Sequence, residues 1–73
     1  MSSMFKINLV ENLKLLMREF KVNQVKLSQG IGVSQSAISA WLSGKKEPSI
    51  QSLWLLADFF EISIDELVGR KLY

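Results

Sequence analysis

Apolar side chains recur along the first third of the chain with a helical period. Leu9, Leu13, Leu16, Met17 and Phe20 stand at i, i+4, i+7, i+8 and i+11, one stripe of a helix running from Asn8 to Phe20. Asn8 is suited to cap that helix, and Glu11, three residues on, to close a capping box. The segment "KVN" then breaks the period. A shorter helix is predicted from Gln24 to about Ile31, with Leu27 and Ile31 inward. Gly32 ends it, because glycine takes a positive φ that other residues adopt at a cost. Ser34 reads as the cap of a third helix whose inward residues are Ile38 and Trp41. The connector "SGKKEPS" follows, built from Gly44, Pro48 and Ser49. Ser49 caps a fourth helix through Phe60, with Ile50, Leu53, Leu56, Ala57 and Phe60 on the buried side. Ser63 and Glu66 form a second capping box before a short final helix carrying Ile64, Leu67 and Val68. There is no strand-type alternation, internal repeat or low-complexity tract. The expectation is an all-α domain of five short helices.

A length of 73 residues suits one compact domain rather than two, with a partner adding stability. The expected organisation is an N-terminal extension over 1–7, the helical domain over 8–68 and a C-terminal tail over 69–73. Composition then narrows the chemistry. The chain has no cysteine and no histidine, which removes disulfides, thiolate metal sites, the usual general base and the commonest neutral metal ligand. Ser34, Ser49 and Ser63 are accounted for as caps. The adjacent carboxylates Asp65 and Glu66 suit the positive end of a helix dipole. No Gly-rich phosphate loop or metal-ligand spacing appears. No catalysis, metal, cofactor or small-molecule ligand is therefore expected. The longest apolar run, Leu53 to Ala57, is five residues, against roughly 18 needed to cross a bilayer. The opening "MSSMFKINLV" lacks the apolar stretch of a secretory signal. A cytoplasmic protein with no membrane segment is the expectation.

Charge changes the picture further. The formal net charge is only +2, yet residues 1–46 carry seven Lys/Arg against two Glu, and residues 47–73 carry two against five acidic residues. That polarity suggests that one end faces an anion. The stretch "VSQSAISAWLSGKKEPS" sharpens this. A helix that only packs would show long charged side chains to water, whereas this one offers Ser, Gln, Ser and Ala, followed by a glycine and two lysines. From Gln24 to Trp41 the spacing is also specific: apolar residues at Leu27, Ile31, Val33, Ile38 and Trp41, a small Ser28, and Gly32 four residues after it. Two helices crossing closely need a small residue at the crossing and a glycine in the tight turn.

With these residues the chain resembles the Cro/repressor-type (Xre-like) helix-turn-helix regulators over about residues 8–68. The carriers are "NQVKLSQGIGVSQSAISAWLSGKKEPSI" followed by "LWLLADFFEISIDEL". The resemblance implies a lambda-repressor-like DNA-binding domain with the helix-turn-helix as its second and third helices. It further implies that the third helix lies in the major groove of double-stranded operator DNA. By position, Gln35, Ser36, Ser39 and Ala40 would then meet base edges. An amide such as Gln35 can pair bidentately with adenine N6 and N7, and the Ala40 methyl suits a thymine methyl. Asn23 and Gln24, opening the second helix, suit a phosphate, as does Ser34. Lys45 and Lys46 would grip the backbone on the other side, with Lys21 and Lys26 as further candidates. The function implied is a transcriptional regulator, expected as a repressor.

Three departures from the family pattern matter. Many relatives carry an Arg at the position of Met17 and a Glu at that of Leu42; here both are apolar, as if an ion pair were replaced by hydrophobic contact. The turn glycines often found near Lys21 and Glu61 are missing, so those turns are expected to close differently. The groove face is poor in Arg and Lys, which favours help from a dimer partner. Leu55 and Phe59, off the core stripe of the fourth helix, and Trp54 at the stripe's edge form an apolar cluster of the kind that marks contacts. Two readings of it stand open: a homodimer interface, or a patch covered by Met4, Phe5 and Ile7 or by Leu72 and Tyr73. A protein-interaction module on the same scaffold, antitoxin-like or anti-repressor, is the alternative function.

Overall fold

In the computed structural model, which describes residues 9–69, five helices follow one another: α1 (Leu9–Phe20), α2 (Gln24–Ile31), α3 (Gln35–Leu42), α4 (Ile50–Phe60) and α5 (Ile64–Val68). The proposed cap Asn8, the extension and residues 70–73 lie outside the described residues. Three of the expected caps are present. Ser34, Ser49 and Ser63 each accept a hydrogen bond from the backbone N–H three residues on. At Ser63 the Glu66 carboxylate also accepts from the Ser63 N–H at 2.9 Å, completing the box. Each such cap satisfies a donor that the helix start leaves open, typically worth about 1 kcal/mol.

Every helix contributes to one core, made of Leu9, Leu13, Leu27, Ile31, Ile38, Trp41, Leu56, Ala57, Phe60 and Leu67. α2 packs on α3 and α4, α1 packs on α3 and α5, and α4 packs on α5. Met17 and Leu42, the two positions where relatives pair charges, are both half-buried against this core. Asn12 adds a polar tie: its amide donates to the carbonyl of Leu67 at 3.0 Å and of Glu66 at 3.3 Å, joining α1 to the short α5.

The structure corrects three expectations about which side chains face the core. Ile50 is 74% exposed rather than inward. Helical side chains lean over the turn preceding their own Cα, and Ile50, the first residue of α4, has no such turn to lean on. The inward stripe begins instead at Leu53. Phe59, expected off the core stripe, is half-buried. Its ring lies against Gly30, where an added Cβ would overlap it, and meets Phe60 edge-to-face at 5.0 Å. Phe20, placed on the core stripe, is 49% exposed and meets the buried Phe60 edge-to-face at 5.1 Å.

The turns lacking glycine do not close differently. Lys21 and Glu61 adopt the left-handed backbone themselves, with φ of 57° and 58°. After each, an apolar residue returns its N–H to the preceding helix: Val22 to Met17 at 2.9 Å, and Ile62 to Ala57 at 3.0 Å. The turn at Gly32 closes by the same pattern, Val33 to Ser28 at 3.3 Å. Val22, Val33 and Ile62 all pack against the core, and this burial holds the lysine and glutamate in a conformation that otherwise costs roughly 1–2 kcal/mol. Glu61→Gly is accordingly expected to stabilise the fold by about 0.5–1 kcal/mol after the extra unfolded-state freedom of glycine is counted. A rise of several degrees in Tm by circular dichroism would register it. A fall in Tm would mean that the Glu61 side chain holds something the turn geometry does not reveal.

Candidate nucleic-acid interface

α3 has two unlike sides. Ile38 and Trp41, 0% and 6% exposed, fix its rear in the core. Gln35, Ser36 and Ser39 are exposed on the other side, while Ala40 is half-buried at its margin. Ser34 caps the helix by accepting from Ala37 N–H at 3.1 Å, which leaves its hydroxyl proton free to be donated outward.

The orientation of α3 is set by the turn before it. Gly32 takes φ of 73°, and the Ser28 hydroxyl donates to the Val33 carbonyl at 2.6 Å. The sequence pattern identified Ser28 only as a small crossing residue; here it also clamps α2 to the start of α3. At the start of α2, Asn23 is exposed, and its Oδ1 accepts from Lys26 N–H at 2.8 Å. Its Nδ2 is then the atom left to donate to a ligand. Gln24, half-buried, opens the helix beside it.

On the far side of α3, the lysine loop is tied down by one backbone atom that side-chain patterns cannot show. The Ala40 carbonyl accepts from the Ser43 hydroxyl at 3.1 Å, from Lys45 N–H at 2.9 Å and from Lys46 N–H at 3.3 Å. Gly44, with φ of 77°, makes the reversal. Lys45 and Lys46 are therefore exposed side chains on an anchored backbone. Residues 20–46 contain four lysines and no carboxylate, so the α2–α3 unit and its loop present a positive surface. Residues 47–69 contain five carboxylates and no Lys or Arg. The domain is electrically polar, with α3 on its positive side.

The candidate base-facing and phosphate-facing residues thus come from the start of α2, the outer side of α3 and the loop behind it. Of the sequence-predicted contact cluster on α4, Trp54 is 64% and Leu55 36% exposed, but Phe59 has turned inward and Ile50 joins them instead. Among the described residues, no three His, Cys, Asp or Glu gather in a way that could hold a metal. No helix among them is long and apolar enough to cross a membrane.

This arrangement matches known proteins. The Helix-turn-helix family model covers residues 13–67. The chain is 40% identical over 61 residues to the HTH-type transcriptional activator BcrR of Enterococcus faecalis, covering 84% of this chain and 30% of that protein. It is also 40% identical over 47 residues to the cryptic phage CTXphi transcriptional repressor RstR of Vibrio cholerae, covering 64% of this chain and 42% of that one. The chain therefore spans well under half of each of these curated relatives. Among solved structures, a transcriptional regulator from Listeria innocua superposes with a TM-score of 0.85 at 31% identity, over 93% of this chain and 64% of that one. The P22 c2 repressor, in complex with a synthetic operator, superposes with a TM-score of 0.76 at 30% identity, over 82% of this chain and 91% of that one. The chain belongs to the Helix-turn-helix family, in its Cro/repressor (Xre-like) branch.

Proposed function

We propose that this chain is a sequence-specific, double-stranded-DNA-binding transcriptional regulator that reads an operator major groove with α3. The observation that carries the reading is the exposed Gln35–Ser36–Ser39 flank of α3, set between the amide-bearing start of α2 and the anchored Lys45–Lys46 loop. Short side chains let a helix approach base edges closely, and the groups on either side hold the phosphates that fix its register. Gln35, Ser36, Ser39 and Ala40 are the base-facing residues. Asn23, Gln24, Ser34, Lys45 and Lys46 are the phosphate-facing ones. The P22 c2 repressor, a structural neighbour in complex with a synthetic operator, supports operator DNA as the ligand of this scaffold. Occupying a promoter suffices for repression by exclusion, so repressor is the mode adopted.

The functional unit is a homodimer. Two reading helices about 34 Å apart would meet one turn of DNA on a pseudo-palindromic site. Trp54 and Leu55, with Ile50 beside them, supply apolar surface for pairing.

Fluorescence anisotropy on the cognate operator tests the reading. Four lysines at positions 45 and 46 of a dimer should contribute about −3.6 to the slope of log K against log[salt]. Lys45→Ala/Lys46→Ala should flatten the slope by about that amount while weakening all duplexes alike. Gln35→Ala should instead cost about 1–3 kcal/mol per half-site on the operator alone. A salt-independent affinity, or equal loss on operator and random DNA from Gln35→Ala, would defeat the assignment.

A further inference from the structure

On the acidic side of the domain, α4 and α5 border an open depression of about 690 Å3. Its apolar lining includes Trp54, Ile62 and Ile64, and its acidic lining is Asp58, Glu61 and Asp65. Trp54 is 64% exposed, with Ile50 and Leu55 on the same helix also open to solvent. A two-fold dimer formed through this surface sets it against its own copy. That pairing buries the apolar groups but also brings six carboxylates together, three from each protomer. Like charges set facing one another across an interface cost several-fold to many-fold in affinity. A stable pairing here needs cations, and residues 47–69 have none.

Positive charge resumes immediately beyond α5. Gly69, with φ of 69°, caps that helix in the left-handed conformation. The next four residues are Arg70, Lys71, Leu72 and Tyr73, outside the described residues. They combine two cations with an aliphatic and an aromatic side chain, which is the complement of an acidic depression floored by tryptophan and isoleucine. Four extended residues span roughly 13 Å, against about 7.5 Å for the five-residue α5. A pairing that sets the end of α5 within that reach of the partner's depression lets the segment enter it.

We propose that the Arg70–Tyr73 segment of each protomer docks in the acidic depression of the other, building on the dimer reading above. Arg70 and Lys71 neutralise Asp58, Glu61 and Asp65 of the partner, while Leu72 and Tyr73 cover Trp54. Folded back on its own protomer, the segment would meet the same carboxylates but leave Ile50 and Leu55 in water. Exchange between copies covers both. The charge asymmetry of the chain then has two uses, with the positive side for DNA and the negative side for self-assembly through the basic Arg70–Tyr73 segment.

A charge-swap cycle on the 73-residue chain, followed by sedimentation velocity and by Trp54 emission, tests this. Trp41 is buried at 6% exposure, so Trp54 is the fluorophore that occupancy of the depression changes. Arg70→Glu/Lys71→Glu and, separately, Asp58→Lys/Glu61→Lys should each weaken dimerisation by roughly tenfold or more. The second pair lies at the C-terminal end of α4, where added cations suit the helix dipole, so the fold should tolerate it. The quadruple variant should recover dimerisation to within a few-fold of the parent. A dimer whose dissociation constant ignores Arg70→Glu/Lys71→Glu would overturn tail docking and leave the dimer standing. Two weakened pairs with no recovery on combination would overturn the assigned pairing. A change in Trp54 emission on Arg70→Glu/Lys71→Glu at concentrations where the protein is monomeric would place the tail on its own protomer and overturn the exchange. A parent that stays monomeric both free and on operator would remove the dimer reading, and this inference with it.

Discussion

Phe60→Ala is expected to remove about 3–5 kcal/mol of folding stability, a large share of the roughly 4–11 kcal/mol that a chain of this length commands. Phe60 is 1% exposed. Its ring is met edge-to-face by Phe20 at 5.1 Å and by Phe59 at 5.0 Å. Truncation leaves a cavity that collapse cannot fill cheaply, because Phe59 is already lodged against Gly30 on the α2 side. Phe20→Ala is the internal control. That ring is half in water, so its loss should cost about 1–2 kcal/mol, mostly the aromatic edge contact. Urea titration followed by far-ultraviolet circular dichroism compares the two at matched m-values. A smaller loss from Phe60→Ala than from Phe20→Ala would contradict the burial of Phe60 in the core and the exposure of Phe20. The order of these losses matters for function, since Ile38 and Trp41 seat the rear of α3 in the same core that Phe60 helps to fill.

The parts of the fold legible in the sequence are those decided within one turn of helix. Ser34, Ser49 and the Ser63–Glu66 pair cap where the pattern places them, because a cap is a bond between residues three apart. The inward residues of α2, α3 and α5 follow from period alone. What escaped the pattern was decided by something distant or by backbone. Phe59 turned inward because Gly30, on another helix, left room for its ring. Lys21 and Glu61 accept left-handed backbone because Val22 and Ile62 are buried elsewhere in the fold. The site divides in the same way. The short polar flank of α3 and the lysine pair can be read from residue type and spacing. The Ser28 hydroxyl and the Ala40 carbonyl, which aim that flank and hold that loop, cannot. One acts through a tertiary angle, and the other is a main-chain atom with no side-chain signature.

Ser39→Glu is the substitution expected to affect DNA binding most while sparing the fold. Ser39 is exposed in the middle of α3, where glutamate has better helix propensity than serine, so melting behaviour should hold or improve. Its backbone carbonyl, which accepts from Ser43 N–H at 3.0 Å, is untouched. The new carboxylate would be the first between Phe20 and Lys46, and in the proposed complex it would face phosphates and base acceptors in a confined groove. Like-charge placement of this kind costs several kcal/mol, so operator affinity should fall by about 100-fold or more. Random duplex should lose nearly as much, unlike the operator-selective loss from Gln35→Ala, because charge repulsion does not depend on sequence. Ser39→Gln, equal in length but neutral, separates charge from bulk: it should retain most non-specific binding. Equal losses from Gln and Glu would mean that steric fit dominates at this position. Unchanged affinity in Ser39→Glu would mean that α3 does not enter the groove, and the scaffold would then be working through a protein partner instead.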